Sequence, residues 1–412
     1  MLKILSLSSR TVLSLVLVLL LVRWVAVYFS PFPINVDEAQ YWLWGQRFDF
    51  GYYSKPPLIA WIMGASDFIF GQHSWAVRLP AAAFHVATSL VLGKIAYLLY
   101  GERAGYLAVL IWLFLPAVTL GSFIFSTDTP LILFWSLGLY YFVLWVKPTL
   151  DNPDKQDNQG LSGNTLIFIS GICLGMGMLA KYAAVYFIAS VLIALIFIAQ
   201  VSVKKSLKPV FLFLFGFLIF ASPNLIWNAT NGFISIKHLG ENANLGAPNY
   251  QFFKLIEFWL GQVGILGPLF FILVIFAMRS SIAYRGLLVT FAIPVLAVIS
   301  VQAFMKEANA NWAVVSYPSL VVLVSGFLVQ AGRGWQKFGF AAQLFNIVIS
   351  LGFIFILFFD SLGGLLPKHG PHNRLHGWDG VVQDIRDVRQ SHGIKTVMVQ
   401  NRLSSALLKW YL

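Results

Sequence analysis

Apolar runs long enough to cross a bilayer recur from one end of this 412-residue chain to the other. A spanning helix needs about 20 mostly apolar residues. Eleven stretches are candidates, at roughly 11–29, 77–99, 104–123, 129–146, 165–180, 183–201, 208–227, 259–278, 286–304, 312–331 and 340–359. The stretches 165–180 and 183–201 are parted only by Lys181-Tyr182 and read equally as one bent helix pair. The expectation is an all-α polytopic membrane protein with about eleven transmembrane helices.

Charge supports that class. Charged residues make up 11% of the chain, against about 25% in soluble domains. A net charge of +12 invites a nucleic-acid partner. The basic residues, however, are spread over short loops between apolar segments, as topology determinants are, and no nucleic acid is expected. Cys173, the single cysteine, falls inside an apolar stretch, which excludes an intrachain disulfide and a cysteine metal site. Lys3 and Arg10 before apolar Thr11–Val22 imitate a signal peptide. Apolar character resumes after Arg23 to about Phe29 without a clear small-residue cleavage site. The segment reads as an uncleaved first span, with Arg23 snorkelling from its outer end.

With the N-terminus placed in the cytoplasm, twelve Lys or Arg fall on the cytoplasmic side and seven on the other, up to residue 359, although the outer loops are longer. In that orientation every notable polar cluster lies on the outer face. Residues 1–359 form the membrane domain. Its first outer loop, about 30–76, holds two interfacial helices, Ile34–Trp44 and Leu58–Phe70. Asp151–Gly160 reads as a flexible cytoplasmic loop. Residues 360–412 read as a short periplasmic α/β segment, with a helix over Asp379–Gln390, a strand over Thr396–Gln400 and a helix over Leu403–Tyr411.

Only 16 residues are acidic, yet Asp37 and Glu38 are adjacent just beyond the first span. A carboxylate there can take the proton of an attacking hydroxyl, with its neighbour orienting it or holding a metal. The pair is equally a favourable helix N-terminus. Lys55, before Pro56-Pro57, is a point charge suited to a phosphate, or a headgroup lysine. Asp128 can cap the span that follows it. Lys181, between apolar stretches, calls for an acidic partner or a phosphate, and Asp128 is one candidate. Tyr41, Trp42 and Trp44 suit either sugar stacking or the interface. The histidines form no HExxH pattern, and Walker A, GxSxG and strand-borne GxGxxG motifs are lacking.

This order of motifs resembles the C-type membrane glycosyltransferases, in the branch of bacterial relatives of protein O-mannosyltransferases and of the aminoarabinose transferases of lipid A. The residues that carry the likeness are Asp37-Glu38 with its aromatic run, Lys55-Pro56-Pro57-Leu58, Thr127-Asp128, Leu179–Tyr182, Ser222–Asn228 and Asn309–Trp312. The resemblance implies a polyprenyl-phosphate sugar donor, used on the outer face of a bacterial inner membrane, and an inverting transfer to an envelope glycolipid hydroxyl. It implies Asp37, with Glu38, as the catalytic carboxylates and Lys55 and Lys181 as the phosphate-binding cations. It implies Tyr41, Trp42, Tyr53, Asp128, Asn228 and Asn311 as cavity-lining groups. Some members hold a divalent metal, for which this sequence offers no ligand set. Relatives usually continue beyond the strand–helix unit at which this chain stops. A transporter or flippase is the competing expectation, although the charges gather at one face and no matching halves are evident.

Overall fold

A computed structural model describes residues 8–30, 32–152, 160–200, 203–243, 250–358, 378–394 and 396–412. Among these residues it is all helical, with nineteen α-helices and no strand. Helix α1 (Ser9–Tyr28) leads to two short helices, α2 (Val36–Gly45) and α3 (Leu58–Phe70), and then to the long α4 (Ser74–Tyr100). Next come α5 (Glu102–Leu113), α6 (Pro116–Gly121), α7 (Asp128–Asp151), α8 (Gly160–Ala180), α9 (Val185–Ile193) and α10 (Val203–Thr230). The second half holds α11 (Ile234–Ala243), α12 (Phe252–Leu266), α13 (Pro268–Arg279), α14 (Arg285–Thr290), α15 (Ile293–Met305), α16 (Tyr317–Gln330) and α17 (Arg333–Phe358). Helices α18 (Trp378–His392) and α19 (Arg402–Tyr411) close the chain.

Among the described residues, eight helical segments are long and apolar enough to cross a membrane, or nine if the bent pair α12–α13 counts as one span. Eleven is not reached by this measure, because a long apolar stretch need not be one straight helix. Over 104–123 the helix stops at Leu113, since Pro116 has no N–H to donate and its ring crowds the preceding turn. Over 183–201 the helical run Tyr182–Ile198 is too short to span alone. Over 259–278 the chain bends by 102° between α12 and α13. Gly267 takes a positive φ of 86° there, just before Pro268.

The break after α5 also corrects the expectation for Arg23. Its side chain is fully buried and donates from Nη2 to the Leu113 carbonyl. A carbonyl released at a helix end inside an apolar bundle needs a donor, and Arg23 supplies one instead of snorkelling.

Helices α8 and α10 pack backbone to backbone. Gly171 and Gly175 lie one turn apart on α8, and a Cβ on either would fall 2.0 Å from the Phe213 carbonyl oxygen or 2.6 Å from that of Phe217. Gly216 answers from α10, where a Cβ would meet the Phe168 oxygen at 2.4 Å. Small residues at this spacing let membrane helices approach closely. Trp112, Trp135, Phe142 and Phe187 fill the centre of the bundle.

The two helices expected in the first loop form, α3 with the bounds read from the sequence. They share an apolar cluster with the start of α4 and with α19, through Trp42, Met63, Val77 and Leu407. The terminal helices form as expected, but the strand does not: residues 396–399 carry no regular structure. An extended segment with no neighbouring strand leaves its N–H and C=O groups without a ladder. Residues 153–159, in the expected flexible loop, and 359–377 lie outside the described residues.

Replacing Gly171 by Leu should separate α8 from α10. The expected outcome is a loss of monodisperse protein in detergent extracts and a lower melting temperature, since overpacking costs about 1–3 kcal/mol or more. Wild-type behaviour on both counts contradicts this packing.

Candidate active site

The site gathers at one end of the bundle, where α1, α8 and α10 finish and α4 and α7 begin. Helix α2 starts with a capping box: Asn35 Oδ1 accepts from the Asp37 N–H at 2.9 Å, and Glu38 Oε2 accepts from the Asn35 N–H at 3.0 Å. Both acids sit in the first turn, which suits the helix dipole.

Successive helical residues point about 100° apart, and the two carboxylates have different fates. Glu38 is wholly buried. Arg78 of α4 donates to it from Nε at 3.0 Å and from Nη2 at 2.7 Å, and the Phe125 N–H donates at 3.1 Å. Arg78 also donates to the carbonyls of Phe32 and Pro33. Glu38 thus fastens α2 to α4 and to the segment before α7. Asp37 is exposed, and its carboxylate makes no ion pair among the described residues.

Tyr41 lies one turn beyond Asp37 and is buried. Burial first, and then the charges of Asp37 and Asp128, push its phenol well above the usual range, so it remains a neutral donor. Trp42 is turned into the protein: its Nε1 donates to Asp67 at 2.9 Å, and its ring meets Trp410 edge-on at 4.9 Å. Trp42 therefore packs within the protein in this structure, with its polar edge satisfied by Asp67. Trp44 stacks on Tyr52 with centroids 5.1 Å apart.

The loop that carries Lys55 is pinned from α10 and α11. Asn224 Nδ2 donates to the Phe50 carbonyl at 2.7 Å, and Ser235 Oγ donates to that of Tyr52 at 2.5 Å. A Cβ at Gly51 would fall 2.2 Å from the Trp227 ring, so only glycine fits there. Lys55 itself is half-buried and makes no ion pair among the described residues. Burial lowers its pKa below the ordinary 10.5, and the Lys181 charge adds to this, while Asp128 and Asp37 oppose it.

Asp128 does not cap α7. The helix has no side-chain cap, and Asp128 bridges instead. Lys181 Nζ lies 2.7 Å from Oδ1, and Asn311 Nδ2 donates to Oδ2 at 2.8 Å. Lys181 reaches it because α8 ends at Ala180 and Lys181 takes an extended backbone. Asn311 arrives on the tight turn Ala310–Ser316 that precedes α16. Asn228 is fully buried and donates to the Tyr182 hydroxyl at 3.0 Å, so it stands in the wall below the loop.

One nearby group escaped the sequence reading. Arg402, the first residue of α19, holds its guanidinium 4.8 Å from the Tyr53 ring centre. His238 lies against the same ring, with centroids 4.9 Å apart. The amphipathic pattern of 403–411 announced a helix, but nothing local announced its docking near Lys55. No group of three or more His, Cys, Asp or Glu suited to a metal comes together among the described residues, and His369, His372 and His376 lie outside them.

The described fold is that of an all-helical polytopic membrane protein, and its likenesses are to membrane-bound glycosyltransferases. Residues 54–227 match the family model of dolichyl-phosphate-mannose-protein mannosyltransferases. The chain is 31% identical over 323 residues to the lipid A galacturonosyltransferase RgtD of Rhizobium johnstonii; the match takes in 77% of this chain and 65% of that relative's length. Its fold matches ArnT of Cupriavidus metallidurans bound to undecaprenyl phosphate, with TM-score 0.66 and 15% identity over 98% of this chain and 75% of that one. It also matches the oligosaccharyltransferase of Archaeoglobus fulgidus in the apo form, with TM-score 0.55 and 13% identity over 98% of this chain and 60% of that one.

Replacing Glu38 by Gln should destabilise the protein without touching Asp37. Breaking a buried pair from one side costs roughly 3–5 kcal/mol, so the expected result is a clear drop in the melting temperature of the detergent-purified protein. A melt unchanged from wild type removes Glu38–Arg78 from its structural role.

Proposed function

We propose that this protein transfers a sugar from a polyprenyl-phosphate carrier to a hydroxyl of lipid A or a related envelope glycolipid. The work is done at the outer face of the bacterial inner membrane, with the N-terminus cytoplasmic and the C-terminus periplasmic. Three likenesses support this reading: to the lipid A galacturonosyltransferase, to ArnT with its bound undecaprenyl phosphate, and to the mannosyltransferase family. The sugar adopted here is of the uronosyl class that the Rhizobium relative moves.

The observation that carries the proposal is Lys55, a half-buried cation that makes no ion pair among the described residues, on a loop fastened by Asn224 and Ser235. A carrier with a polyprenyl tail stays in the bilayer, so the acceptor must come to it. Asp37 takes the proton of the acceptor hydroxyl as its oxygen attacks the anomeric carbon from the face opposite the phosphate. The bond from that carbon to the phosphate oxygen breaks, its electron pair leaves on the phosphate, and the configuration inverts. The phosphate gains charge beside hydrocarbon, where a fixed ammonium counts for more than in water. Lys55 is assigned that ammonium, and the Lys181–Asp128–Asn311 bridge braces the wall beside it. Glu38 acts at one remove, by holding α2 so that Asp37 faces outward.

The deciding comparison is mass spectrometry of envelope glycolipids from cells with wild-type protein, no protein, and Asp37→Asn at equal protein level. Expected is a glycolipid short of one sugar in both deficient strains, with unused polyprenyl-phosphate sugar accumulating. Asp37→Asn cells indistinguishable from wild type would sink the base assignment.

Lys55 supplies a pH test. Its lowered pKa means that the ammonium is lost at a lower pH than for an ordinary lysine, while a bound phosphate favours the charged form. Donor affinity should therefore fall as pH rises through that lowered pKa. Lys55→Arg, which stays charged, should remove this alkaline limb even if it binds more weakly. A limb that persists in Lys55→Arg assigns the titration to another group.

A further inference from the structure

Four cations stand at or beneath the site, and two are already neutralised. Arg78 is paired with Glu38 at 2.7 Å, and Lys181 is paired with Asp128 at 2.7 Å. Lys55 and Arg402 have no carboxylate partner among the described residues. Tyr53 links them: Lys55 follows it by two residues in the same loop, and the Arg402 guanidinium lies 4.8 Å from its ring centroid.

The place of Arg402 is built. Helix α19 is anchored on the first loop by Trp410 against Trp42, by Gln72 Nε2 donating to the Trp410 carbonyl at 2.7 Å, and by buried Ala406 and Leu407. Arg386 of α18 donates to the Tyr411 carbonyl at 2.5 Å. Arg402 opens this helix, so the positive end of its dipole falls at the same point. Its remaining contact is with the His238 ring at 3.4 Å, which leaves the guanidinium exposed.

A planar guanidinium matches a carboxylate through two parallel hydrogen bonds, whereas a lysine is a point charge suited to phosphate. In a uronosyl phosphate the phosphate leaves from C1 and the carboxylate stands on C5, on the other side of the ring oxygen. We infer that Arg402, held over Tyr53, reads the carboxylate of a uronic-acid sugar while Lys55 holds the carrier phosphate. The inference rests on the transferase reading for its donor and adds to it the residue that selects the sugar. The selecting residue rides on the last helix, outside the membrane bundle.

The test uses the full chain in nanodiscs with two probes, polyprenyl-phosphate galacturonate and polyprenyl-phosphate galactose. Dissociation constants for both are measured by native mass spectrometry, and kcat and KM for transfer to lipid A are measured alongside. Wild type should prefer the uronosyl probe by about tenfold to a hundredfold, as for a charge-assisted hydrogen-bond pair. Arg402→Leu should erase that preference through KM rather than kcat, and Arg402→Lys should keep part of it. A melting temperature matching wild type shows that the variants are folded.

Equal weakening of both probes would put Arg402 on the phosphate and overturn the inference. So would a change confined to the KM for lipid A, or a wild type indifferent to the carboxylate. If wild type shows the Arg402-dependent binding preference but transfers nothing to lipid A, the acceptor reading fails and the assignment of Arg402 stands.

Discussion

The buried pair of Glu38 and Arg78 is the joint on which the site depends. Two charges withdrawn from water are tolerated only with good geometry and with their remaining donors and acceptors filled. Here the guanidinium serves both carboxylate oxygens and two loop carbonyls, while the carboxylate also takes the N–H groups of Asn35 and Phe125. Three separate stretches, 32–38, 78 and 125, are held at one point by these bonds. The start of α2 is fixed as a result, and so is the direction in which its next acid faces. Asp37 gains an outward position because Glu38 is committed inward. Under the proposed function, a single carboxylate in this loop would have to serve as both anchor and base.

Adjacency in the sequence suggested that the two acids share one task, and their separation follows from helix geometry that the sequence already held. Asn35 with Glu38 is a capping pattern, which marks the helix start and puts Asp37 about 100° round from Glu38. The partner of Glu38 was not legible, because Arg78 lies forty residues on and looks like any basic residue at a span boundary. The reverse was true of Lys181. Its isolation between apolar stretches demanded a partner, Asp128 was named as one, and the two are paired at 2.7 Å.

The count of spans is poorly legible for a different reason. Apolar composition reports the environment of a stretch and says little about its continuity. Pro116 and the Gly267-Pro268 pair were the visible warnings. The fate of the groups freed at such a break depends on distant residues: the Leu113 carbonyl is met by Arg23, ninety residues earlier in the chain. Arg402 is the extreme case. Helix periodicity gave α19 its apolar face, but only tertiary contact with Trp42 and Gln72 brings it beside Tyr53.

Lys55 and Lys181 show how one fold places two lysines in opposite surroundings. Lys181 sits at a helix break, where an extended backbone lets its side chain find Asp128, and the pair with Asn311 is structurally complete. Lys55 sits on a loop whose backbone is fastened by Asn224 and Ser235 and wedged at Gly51 against Trp227. Two prolines follow it, so the loop has little freedom to carry the ammonium back to water. The cost of half-burying that charge is met by contacts made on folding, before any anion arrives. Under the proposed function, an arriving phosphate meets a cation already partly stripped of solvent and fixed in direction, the condition under which an electrostatic contact needs least reorganisation when charge develops on it. The fixed loop, more than the lysine alone, distinguishes this site from an ordinary basic residue at the membrane surface.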